Sequence, residues 1–136
     1  MDNSLLINTY IRTILCSDED ITALLTNPET NEIKIYPVNA FVSIPDPFVV
    51  IRHESIVPEY TKDGCYENTI DVIVFVVDAD YDNGVILANK IRNKLDLCRY
   101  NTNDVYIDRI ELANAIEYVE RDKYVQQLNF RVNIAN

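Results

Sequence analysis

The sequence predicts an α+β domain built on a mostly antiparallel sheet of about five strands. Two helices precede the sheet and one lies between its third and fourth strands. Three observations predict this. Fourteen valines and 17 isoleucines in 136 residues favour strands, because a branched Cβ packs well on a pleated surface. Apolar residues switch from helical spacing to alternation and back along the chain. The polar links between alternating segments are short enough for hairpins.

Residues 4–16 carry Leu5, Leu6, Tyr10, Ile11, Ile14 and Leu15 at helical spacing, a first helix. Ser17 reads as the N-cap of a second, short helix, with Asp20 three residues on. That helix carries Ile21, Leu24 and Leu25 and stops before Asn27-Pro28. Residues 32–36 alternate as a first strand, ended by Pro37. Residues 37–47 hold three prolines and read as an extended connector; 48–55 form the second strand. The third, 68–77, is apolar on both faces: Ile70, Val72, Val74 and Val76 on one, Ile73, Phe75 and Val77 on the other. Such a strand belongs mid-sheet with cover on both sides, and another subunit could supply the second cover.

Residues 82–97 form the strongest helix, its inner face marked by Val85, Ala88, Ile91, Arg92 and Leu95. Acids cluster at its start and bases near its end, as the helix dipole favours. A fourth strand starts near Val105; its apolar phase shifts near Asp108, which predicts a bulge, and it extends towards Val119. Arg121-Asp122-Lys123 turns the chain into the last strand. There Leu128, Phe130, Val132 and Ile134 face the core, and Val125, Gln127, Asn129, Arg131 and Asn133 face water or a polar partner.

The length fits one domain spanning 1–136. The formal net charge of −10 opposes free-standing nucleic-acid binding, which needs a basic face. It also disfavours adsorption to anionic membranes. No apolar run approaches the ~20 residues of a membrane span, and no secretory leader is expected, because Asp2 stands where basic residues belong. Cys16, Cys65 and Cys98 are odd in number and far apart, so reduced thiols are expected.

Candidates for chemistry are few. Asp78, Asp80 and Asp82 alternate like the start of a calcium loop. The likeness then stops: Asn83 stands where the glycine belongs and Asn89 where the closing glutamate belongs. A capped helix N-terminus explains the three acids, so no metal is expected. His53 is the only histidine and has no nucleophile tied to it. Asp18 with Glu32-Ile33-Lys34 superficially matches a nuclease acid–acid–lysine pattern, but Asp18 lies between helices rather than on a strand. With glycines only at 64 and 84, no phosphate loop, dinucleotide fingerprint or nucleophile elbow can form. The expectation is a protein without enzymatic activity or cofactor that works by assembly. Its contact candidates are Tyr60, Lys62, Asp63 and Tyr66, in a stretch (56–67) long enough to project as a hairpin arm.

The element order carries a resemblance. Two helices lead into Ile35-Tyr36-Pro37. An 11-residue link ends in Asp46-Pro47-Phe48-Val49-Val50-Ile51. Then follow a variable loop, the strand at 69–77 and a helix reading Asn89-Lys90-Ile91-Arg92-Asn93-Lys94-Leu95. Over residues 5–97 this resembles the tail-completion, or tail-terminator, proteins of tailed bacteriophages. The resemblance implies a structural virion protein, assembled in the host cytoplasm. It would form a ring at the head–tail junction, commonly a hexamer, with a dodecamer as the alternative. Its partners would be the tail tube or neck and the head connector. DNA would pass through an anionic lumen without specific binding. A neck ring of a short-tailed phage and a small acidic adaptor or inhibitor are the other readings.

Overall fold

The computed structural model describes residues 2–37 and 44–135. The order of elements is a 3-10 turn (Ser4–Leu6), α1 (Ile7–Cys16), α2 (Glu19–Leu25), β1 (Ile35–Pro37), β2 (Phe48–Thr61), β3 (Gly64–Asp78), α3 (Tyr81–Leu95), β4 (Tyr100–Asn101), β5 (Tyr106–Glu120) and β6 (Lys123–Ala135). The strands form one sheet in the order β1-β2-β3-β6-β5-β4. The α+β class stands, with six strands rather than about five. The sheet is mixed, because β1 runs parallel to β2 while every other pair is antiparallel. The extra strand, β4, is only two residues long, below what alternation can reveal.

Two long hairpins make most of the sheet. β2 and β3 stay paired out to Thr61↔Gly64, so 56–67 is strand and turn rather than loop. β5 and β6 stay paired out to Glu120↔Lys123. β3 and β6 lie side by side, from Glu67↔Ala135 to Asp78↔Tyr124. That antiparallel register puts the two hairpin tips at opposite ends of the sheet.

The helices cover one face. Ile7, Ile11 and Leu15 of α1, Ile21 and Leu25 of α2, and Leu87, Ile91 and Leu95 of α3 pack with Ile70, Val72, Val74, Phe130, Val132 and Ile134. Burying such a side chain stabilises by roughly 1.5–3 kcal/mol, so this layer holds the sheet's shape. The inner face of α3 is Gly84, Leu87, Ala88, Ile91 and Leu95. Val85 and Arg92 lie outside it, contrary to expectation. Gly84 explains the rotation: a Cβ there would lie 3.3 Å from Asp78 Cβ, so the first turn seats glycine, not valine, against the sheet.

Local capping also differs from expectation. Asp18, not Ser17, caps α2; its carboxylate accepts from the N–H groups of Asp20 and Ile21. Ser17 closes α1 instead, its hydroxyl donating to the Ile14 carbonyl. The first predicted strand contracts to Ile35–Pro37, while Ile33 makes one isolated bridge to Thr26. The phase shift near Asp108 is a register irregularity between Ile107 and Arg109, and a second lies between Leu112 and Asn114. Residues 38–43 of the expected extended connector lie outside the described residues. The connector's last residues lead through a cis Asp46-Pro47 bond into β2.

Candidate assembly surface

Two of the three acids of the metal candidate are bound to backbone N–H groups. Asp78 is buried and its carboxylate accepts from Asp80 N–H. Asp80 is the N-cap of α3 and accepts from Asn83 N–H. Asp82 lies in the first turn, where a negative charge complements the helix dipole. Among the described residues, no group of three His, Cys, Asp or Glu side chains is placed to hold a metal ion. His53 lies half-buried in β2 opposite Val72. Asp18, Glu32 and Lys34 do not converge: Asp18 caps a helix, while Lys34 is buried and donates to the Pro45 carbonyl. Burial pushes the Lys34 ammonium below its ordinary pKa, against the pull of Asp46 and Asp78.

Lys34 belongs to a polar clamp at one end of the sheet. Asp46 accepts from Lys123 and from Ala79 N–H. Partial burial would raise the Asp46 pKa, but the hydrogen bonds from Lys123 and Ala79 and the Lys123 charge outweigh it and hold the carboxyl below its usual range. The Lys123 ammonium also lies 5.6 Å from the Phe48 ring centre. The clamp fixes the return of the chain into β2 against the β3–α3 turn and the start of β6.

The predicted contact residues sit at the β2–β3 tip. Lys62 and Asp63 form the turn, closed by Gly64 at φ 122°. Tyr60 is 70% exposed. Tyr66 is bound within the arm: its hydroxyl donates to Glu59, which raises its pKa. Since β6 pairs with β3 from Glu67 onward, only the last few residues of this hairpin reach beyond β6.

The more open surface has little signature in the sequence. From Ala113 to Glu120 every residue of β5 is exposed. Ile116 is 50% and Val119 63% exposed, with Tyr118 beside them. Alternating apolar residues in a strand that ends a sheet were readable as a continuation; their lack of cover was not. On the sheet face away from the helices, register aligns Phe48, Val77, Val125 and Tyr118 in one row, and Val50, Phe75, Gln127 and Ile116 in the next. Val125 is buried rather than facing water, and Arg52 lies 4.9 Å over the Phe75 ring. Further along, this face turns polar: Gln127 donates to Asn129, and Asn129 to Asn114.

A cleft of about 210 Å³ opens near Asn3, Thr102, Asp104, Tyr106 and Ile134. It holds a single carboxylate, Asp104, and no acid–base pair. Among the described residues, no helix is long and apolar enough to cross a membrane.

No protein-family model matches the chain, and no curated protein matches it. A solved chain from the virion of a native gene transfer agent particle is similar in fold. The two are 16% identical with a TM-score of 0.75, and the match covers 93% of this chain and 92% of that one. At that identity the likeness establishes the shared fold.

Proposed function

We propose that this chain is a structural virion protein that forms a ring at the head–tail junction of a phage-like particle. There it terminates the tail tube and docks to the head connector. The observation that carries this reading is the nearly end-to-end fold match, in both directions, to a chain of a gene transfer agent virion. The element order, two helices ahead of a β-rich domain with one crossing helix, agrees with it. The role is one of assembly rather than catalysis. A formal charge of −10 suits a lumen through which DNA slides without sticking.

The ring is a hexamer, with a dodecamer as the alternative. Six copies of the 15.7 kDa chain weigh about 94 kDa and twelve about 188 kDa, so a solution mass separates them. The test is the mass of the purified protein together with immunolabelling of particles at the neck. A protein monomeric at every concentration and absent from particles would sink the reading.

A further inference from the structure

We infer that neighbouring copies of this chain join head to tail by pairing the β5 edge of one with the β2 edge of the next. The inference rests on the ring reading above and names the surface that builds it.

An exposed strand edge is a template for another strand unless something blunts it. Most of this sheet's perimeter is blunted. On one side, β1 covers 49–51 of β2, and the β1 carbonyl of Ile35 accepts from Arg12. On the other side, β4 covers Tyr106 and Ile107. Ile110 exchanges backbone bonds with Leu97 and Cys98, and the Asp96 carboxylate accepts from Leu112 N–H. Past that point, residues 113–120 of β5 have no strand, proline or basic side chain along their outer edge among the described residues. Among the described residues, 52–57 of β2 lack a strand on their outer side too, up to Pro58. Pro58 has no N–H and is tolerated because its nitrogen faces that open edge.

These two stretches fit each other. β2 and β5 run in opposite directions, so a sideways neighbour meets β5 with an antiparallel β2 and keeps the same faces. They are staggered along the strands. Register places Glu117 level with Gln126, Val76 and Val49, whereas the open part of β2 centres near Ile56. A neighbour offset by about seven residues, ~23 Å at 3.3 Å per residue, brings the open stretches together and leaves β1 and β4 out of the way. The offset sets Glu117 opposite Ile56 of the next copy, Ile116 opposite Val57 and Tyr118 opposite Ser55, with Glu120 near Arg52. Ile116 and Val57, 50% and 58% exposed in the free chain, then cover each other. The backbone phase agrees. The two-residue turn at 121–122 makes Glu120 and Lys123 a hydrogen-bonded pair, so Glu117 points its N–H outward by alternation. Ile56 shares the outward phase of Pro58, two residues away. Ala115 meets Pro58, where the ladder stops. A head-to-tail contact of this kind closes into a ring when the rotation allows.

The experiment is disulfide capture with the chain carrying both Val57→Cys and Ile116→Cys, oxidised as isolated protein and inside particles. The expected result is a ladder of multiples of 15.7 kDa, absent from either single variant, which controls for the native thiols. Ile116→Lys should lower the ring population at least tenfold at fixed concentration, with an unchanged far-UV spectrum and melting point. A ring that forms without any ladder, or that survives Ile116→Lys, overturns this interface and leaves the junction reading intact. A ladder from a protein absent from particles supports the interface and overturns the junction reading. Neither ring nor ladder overturns both.

Discussion

The two hairpins are near equals in length and opposites in exposure. β2–β3 begins in the core with Val49 and Ile51 and ends in a polar tip. Its first strand shifts register against β3 between His53 and Ser55 and again between Glu59 and Tyr60, and it carries a proline and a half-exposed Arg52–Glu54 ion pair. β5–β6 begins with Ile107 and Ile110 in the core and ends in a stretch whose apolar side chains face outward. Both pack against α3. The lesson is that core packing decides where a hairpin starts, while the chemistry along its edge decides what it can accept.

The largest expected effect tests the shared anchoring. Phe130 is 1% exposed and stands where β6 meets the helices. Phe130→Ala should cost about 3–5 kcal/mol, through lost transfer energy and the cavity left behind. Urea unfolding checks this; a loss below 1 kcal/mol would mean that the anchor lies elsewhere.

The clamp between the hairpins comes next. Asp46→Asn removes the ion pair with Lys123 and weakens the acceptor for Ala79 N–H, and should cost about 1–2 kcal/mol near neutral pH. The carboxyl titrates lower in the folded state than in the unfolded chain. Its stabilisation is therefore complete above the ordinary carboxylate pKa of about 3.9. It fades as pH falls through the depressed value. Melting curves of the two proteins should converge at acid pH; a constant gap would refute the electrostatic origin.

Asp96→Ala sharpens the contrast between edges. It leaves Leu112 N–H without its carboxylate and lengthens the bare part of β5. A cost of about 1 kcal/mol is expected, together with faster amide exchange at Leu112 by NMR.

The smallest effect concerns the β5–β6 turn. Arg121 and Asp122 both hold positive φ, 51° and 65°. Asp122→Gly relieves the side-chain strain and should stabilise by about 0.5–1 kcal/mol. A lower melting point would show that the aspartate makes a contact worth more than that strain.

Long-range alternation made the strands legible. Residues 68–77 and 125–134 show it plainly because their side chains face a fixed core layer on alternate positions. Residues 56–67 were legible as a long polar stretch, but not as the continuation of the two strands they join. Three things were hidden. β1 shrank because Ile33 bridges Thr26 outside the sheet. The helical phase of α3 turned on a contact between Gly84 and Asp78, which periodicity does not carry. The bare edge depends on where β4 and Asp96 stop, a property of neighbours rather than of the β5 sequence. For the same reason Ile116 and Val119 read as ordinary strand residues, while Tyr60 and Tyr66 stood out.

The opposed tips have a mechanical consequence. A pull that draws the two tips apart along the strands does not peel the sheet open one bond at a time. It loads the seam between β3 and β6 lengthwise, and all twelve residue pairs from Glu67↔Ala135 to Asp78↔Tyr124 share the force. Parallel loading of many weak bonds resists far more tension than serial loading of the same bonds. A domain gripped at both ends in this way would act as a tie bar, strong along the strands and compliant across them.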